Sequence, residues 1–197
     1  MNNSGAQRAI PIILIIIVII VAVAALISVG RNIFGGSSEP IVNTGKEALL
    51  NTSLDRSVRM TVRGPIVGDN NFHTYTVTAT PTTRNLTTYQ GYLQSQLEST
   101  ELANNSKAYE QFVYALDRAN MMEGAELEGD ADNTRGVCAT GKLYRYEVIQ
   151  GTNVVKTLWT TTCSQSRGSL KAVNQSLVRL FNAQIPDYAK LTNKVNL

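Results

Sequence analysis

VCATGKLYRYEVI (Val137–Ile149), QGTN (Gln150–Asn153) and VVKTLWTTTC (Val154–Cys163) read as two alternating runs joined by a turn. Gly151 suits the first central position of a type II′ turn, which sets Gln150 opposite Asn153. In that register Tyr144 faces Trp159, Val148 faces Val155, and Cys163 faces Thr140, one diagonal step from Cys138. A turn one residue earlier brings the two cysteines directly opposite and leaves the face unchanged; Gly141 is a candidate bulge for such a slip. In either register Cys138 and Cys163 share an apolar face with Tyr144, Tyr146 and Trp159. They come close enough for a structural disulfide, whose Cα atoms lie about 4.4–6.8 Å apart. Closing a loop of about 25 residues adds roughly 3 kcal/mol by chain entropy.

Upstream, Ser57–Arg63 alternates Val58, Met60 and Val62 against Arg59, Thr61 and Arg63, the period of a half-buried strand. Gly64-Pro65 ends it. A second strand spans Phe72–Thr80, with Tyr75, Val77 and Ala79 opposite Thr74, Thr76 and Thr78, and a shorter third is expected at about Asn85–Tyr89. A brief helix over Gly45–Asn51 precedes the strands. Ser106–Met121 forms a longer one, with Tyr109, Phe112, Val113 and Leu116 on one stripe. After the hairpin, Ser169 caps a helix to about Gln184 whose stripe is Leu170, Val173, Leu177, Leu180 and Phe181, and Pro186 ends it. Tyr188 and Leu191 in the polar tail are placed to dock. This order predicts an α+β domain: a small antiparallel sheet packed with two or three helices on one face.

AIPIILIIIVIIVAVAALISV (Ala9–Val29) carries no charge. At 1.5 Å per residue, about 20 such residues cross a hydrocarbon core of about 30 Å, so the segment is expected to be a transmembrane helix. Pro11 falls in its first turn, where the missing N–H is harmless. Ala22-Val23-Ala24 resembles a signal-peptidase pattern, but apolar residues continue through Ile27 where a cleavage region turns polar. The expected organisation is a short segment 1–8, the transmembrane helix 9–29, a tether 30–45 rich in Gly and Ser, and one domain 46–197. Arg8 on one side and Arg31 and Lys46 on the other leave orientation undecided by charge. The cysteine pair places the domain outside the cytoplasm, where disulfides persist. The four sequons C-terminal to the apolar segment, at Asn51, Asn85, Asn104 and Asn174, are close to chance for so much Asn, Ser and Thr.

The chain has 18 Lys and Arg against 15 Asp and Glu, and all the acids lie beyond Arg31. The domain is therefore nearly neutral and lacks a basic run, which argues against nucleic acid as a partner. The acids of Glu123–Asp132 invite a calcium reading, but a loop counted from Asp130 has Arg135 and Gly141 where Gly and Glu are needed. The single histidine, His73, cannot complete a zinc set with two cysteines so far apart in sequence, and no phosphate-binding or nucleophile-elbow glycine pattern occurs. No metal or cofactor is expected.

Thr157-Leu158-Trp159-Thr160-Thr161-Thr162-Cys163 resembles the Thr-Leu-x-Thr-Cys motif of sortases, with two extra residues before the cysteine. That resemblance implies a cysteine transpeptidase with Cys163 as thiolate, His73 as acid/base and Arg167 as oxyanion donor, roles a disulfide would forbid. An apolar N-terminal helix leading to an α+β head with a C-terminal disulfide is similar in plan to type IV pilins. Here the prepilin Gly-Phe-Thr-Leu-Ile-Glu run is missing, so the assembly glutamate has no counterpart. The favoured expectation is a non-enzymatic, membrane-anchored domain that binds an envelope protein or glycan or supports an assembly.

Overall fold

The computed structural model describes residues 44–166, 168–193 and 195. The apolar segment 9–29, most of the tether and Arg167 lie outside the described residues. Among the described residues no helix is long and apolar enough to cross a membrane.

The element order is α1 (Thr44–Leu50), β1 (Arg56–Arg63), β2 (His73–Ala79), β3 (Thr83–Gln90), β4 (Ser95–Ala103), α2 (Ser106–Arg118), β5 (Leu143–Gln150), β6 (Asn153–Thr161), α3 (Asn174–Asn182) and α4 (Tyr188–Thr192). The strands form one six-stranded antiparallel sheet in the order β4-β3-β2-β1-β5-β6. The fold is α+β. The expected alternation of β1 and β2 holds: Val58, Met60 and Val62 are buried with Tyr75, Val77 and Ala79 in one core that also takes Leu86, Tyr146, Val148 and Leu158. Helix α2 adds Tyr109, Phe112, Val113 and Leu116, and α3 adds Leu177 and Phe181. Asn105 caps α2 by accepting from the Ala108 N–H at 2.9 Å, which supplies one of the donors that a helix start leaves unpaired.

The β5–β6 hairpin departs from its expected register. Gln150 does pair with Asn153, and Gly151 takes φ 56°. The ladder then shifts between Val148 and Ile149, so that Val148 meets Lys156, Tyr146 meets Leu158, and Tyr144 meets Thr160 rather than Trp159. The bulge sits here and not at Gly141, leaving Val155 as the extra residue. Trp159 therefore crosses to the opposite face from Tyr144 and Tyr146, and Leu158 enters the core in its place. Two gains favour this arrangement. Leu158 is wholly buried beside Tyr146, and the Trp159 indole N–H donates to Asp132 Oδ1 at 2.9 Å, satisfying a donor that the core could not.

Other expectations need correction. Ser169 is not a helix cap: its Oγ accepts from the Trp159 N–H at 3.0 Å, and α3 starts only at Asn174. Val173, assigned to the buried stripe, is 69% exposed. Strand β4 was not anticipated at all. It is an edge strand exposed along most of its length, so no buried face imposes an alternation on its sequence.

Candidate functional site

Helices cover one face of the sheet, and the other face carries the alternate residues of the same strands. The register lines them up in cross-strand rows. Thr76, Thr61, Arg145 and Trp159 form one row, and Tyr89, Thr74, Arg63 and Leu143 form the next. In a third, Arg59 stands between Thr78 and Glu147. All of these but Trp159 and Thr78 line a hollow of about 350 Å³.

Two walls make the face concave. On the β5 side a strap through Asp132, Thr134 and Val137 is tied down by the sheet. Arg63 Nη1 donates to the Thr134 carbonyl at 2.9 Å and Nη2 to the Val137 carbonyl, while Arg145 Nη2 reaches Thr134 Oγ1 at 3.2 Å. On the β3 side the turn after β3 brings Gln94 to the rim. There Tyr92 stacks on Phe72 with ring centroids 4.2 Å apart, and its hydroxyl donates to the Val67 carbonyl at 2.7 Å.

The charge in the hollow is unbalanced. Arg59, Arg63 and Arg145 line it with a single carboxylate, Glu147. Glu147 is buried and engaged by Arg59 Nε at 2.6 Å. Among the described residues neither Arg63 nor Arg145 has a carboxylate within ion-pair distance. Arg63 Nε is buried without a hydrogen-bond partner. Burial above all, with the neighbouring Arg145 guanidinium adding to it and Tyr92 opposing, pulls the Arg63 pKa below its ordinary value. Two guanidiniums converging on Thr134 repel, and the cost rises where water is partly excluded.

The sequence-nominated residues lie elsewhere. Cys138 and Cys163 form the expected disulfide, with Cα atoms 5.5 Å apart. They sit past the strand ends, not within the ladder: β5 begins at Leu143 and Cys138 takes φ 53°. The bond therefore clasps the open end of the hairpin. Its sulfur consumed, Cys163 offers no thiolate. His73 opens β2 opposite Gln90, and its Nδ1 is buried without a partner. The acids of 123–132 do not gather: Glu126 accepts from the Thr157 N–H, Asp132 from Trp159, and the described residues contain no cluster suited to a metal ion. Sequence reasoning had put Arg59, Thr61 and Arg63 on the face away from the core. It missed their meeting with Arg145, for which only the alternation of β5 was a signal. No protein-family model matches this chain, and no curated protein is significantly similar to it in sequence.

Proposed function

We propose that this chain is a membrane-tethered binding or assembly module of the cell envelope, not an enzyme, held by the apolar segment 9–29 with its domain outside the cytoplasm. The observation that carries the binding reading is the open sheet face. A sheet packed on one side and left polar, concave and over-supplied with cations on the other has the shape and chemistry of a recognition surface. The Cys138–Cys163 bond supports the compartment, because such bonds persist where the surroundings are oxidising.

Two measurements test this reading. Membrane-impermeant maleimide on intact cells should label the cysteines only after reduction; labelling confined to permeabilised cells, and needing no reductant, would overturn the proposed compartment. Purified cell-wall fragments should sediment the detergent-solubilised full chain, and Thr76→Trp, which fills the hollow from its floor, should leave it in the supernatant. Equal sedimentation of both forms would remove the open face as the binding surface.

A further inference from the structure

We propose that the hollow on the open sheet face takes an acidic sugar unit, a saccharide bearing a carboxylate or phosphate, with Arg63 and Arg145 receiving its anionic group. This rests on the binding reading above and names the chemistry of its ligand.

The first argument is charge. Glu147 is matched by Arg59, which leaves two guanidiniums on adjacent strands, both hydrogen-bonded to Thr134 and neither paired with a carboxylate among the described residues. A guanidinium presents a planar fork of donors that suits carboxylate and phosphate oxygens. An anion seated between Arg63 and Arg145 offsets their repulsion.

The second argument concerns the rest of the ligand. Beside the cations the floor offers the hydroxyls of Thr61, Thr74 and Thr76, the rim offers the Gln94 amide, and Tyr89 supplies an aromatic ring. Hydroxyls and amides both donate and accept, matching a molecule with hydroxyls on several sides, and an aromatic ring suits the C–H face of a sugar ring. Size points the same way. About 350 Å³ is at the small end of small-molecule sites, which span roughly 300–1,000 Å³. A folded protein partner would instead need a broad surface, of the order of 1,000 Å² or more in total.

The test is calorimetric titration of the full chain in uncharged detergent at low ionic strength. The probes are glucuronate, glucose 6-phosphate, glucose and inorganic phosphate. At least one acidic sugar should bind ten-fold or more tighter than both glucose and inorganic phosphate, and the better of the two identifies the anion. Arg145→Gln should weaken that binding at least ten-fold. Because Arg63 also holds the Thr134–Val137 strap, Arg145, with its single hydrogen bond there, is the cleaner site to change. Thr76→Trp should abolish binding, and Glu110→Gln on α2, away from the open face, should leave it unchanged. Absence of binding by either acidic sugar overturns the proposal, as does binding indifferent to Arg145→Gln and Thr76→Trp. Inorganic phosphate binding as tightly as the sugars overturns the saccharide assignment. If cell-wall fragments retain the chain through the open face while both acidic sugars fail, the ligand class is wrong and the binding reading stands.

Discussion

Gly141 packs tightly against the disulfide. A Cβ built there would lie 2.3 Å from Thr162 Oγ1 and 2.8 Å from Cys138 Sγ. The residue is a glycine because the chain folds back against the clasp, not because a strand bulges, as its sequence context had suggested. Gly141→Ala should cost about 1–3 kcal/mol in urea unfolding of the oxidised domain. Gly68→Ala is its counterpart: nothing lies within 4 Å of a Cβ there and φ is −56°, so stability should hold or rise by about 0.4–1 kcal/mol. Tyrosines provide a second expectation. Burial raises the pKa of Tyr75, Tyr109 and Tyr146 above its ordinary value; in Tyr75 the hydrogen-bonded Tyr188 hydroxyl, 2.6 Å away, adds to the shift. The unfolded chain then releases protons at lower pH than the folded one. The stabilisation is complete below about pH 10 and is lost as pH rises beyond it, by about 1.4 kcal/mol per pH unit for each such tyrosine. Denaturant titrations at several alkaline pH values should show this decline. Tyr146→Phe should lessen its slope by one tyrosine's share, Tyr75 and Tyr109 remaining, while costing about 1 kcal/mol at neutral pH through the lost hydrogen bond to Asn174 Oδ1.

The hairpin β5–β6 divides what can be read in one stretch of chain from what cannot. Its turn and its cysteine pair were legible, because a turn glycine and two flanking alternating runs are local signals. The bulge at Val155 was not, because its cause is distant: Leu158 fills the core next to Tyr146, and Asp132 waits on the other face for the Trp159 indole. Beyond the ladder, the disulfide closes a loop with a sequence separation of 25. Replacing both cysteines by serine should lower stability by about 3 kcal/mol and raise the urea m value, since the unfolded chain without the cross-link is more expanded and exposes more surface. A much smaller loss would mean that the reduced chain already holds its ends together. Strand β4 shows the opposite limit. With neither face deeply buried, its sequence records no period, and only its pairing with β3 identifies it.

For the whole molecule, helix α3 and the middle of the chain share one core. Phe181 is fully buried, edge-on to Phe112 at 5.3 Å and tilted against Tyr146 at 5.9 Å, joining α3 to α2 and β5. Phe181→Ala should cost about 3–5 kcal/mol, whereas Val173→Ala on the exposed side of the same region should stay within about 0.5 kcal/mol. A comparable effect of the two in thermal or urea unfolding would mean that α3 does not close the core. The candidate site belongs to this scale too. Alternation in β1 and β2 already placed Arg59, Arg63 and the threonines away from the core. Their meeting with Arg145 depends on β1 lying between β2 and β5, a pairing of strands some 80 residues apart in sequence. Sequence alone therefore settles which residues of β1 and of β2 can share a face, where the hairpin turn falls, that two cysteines lie within reach of each other, and that residues 9–29 are an uninterrupted apolar run, because each is a property of neighbouring side chains. Strand order, the bulge that turns Trp159 outward, and the convergence of Arg63 and Arg145 on Thr134 were decided only by the tertiary structure. They follow from competition among distant segments for one closely packed core, in which the place of each side chain depends on which others have already filled it.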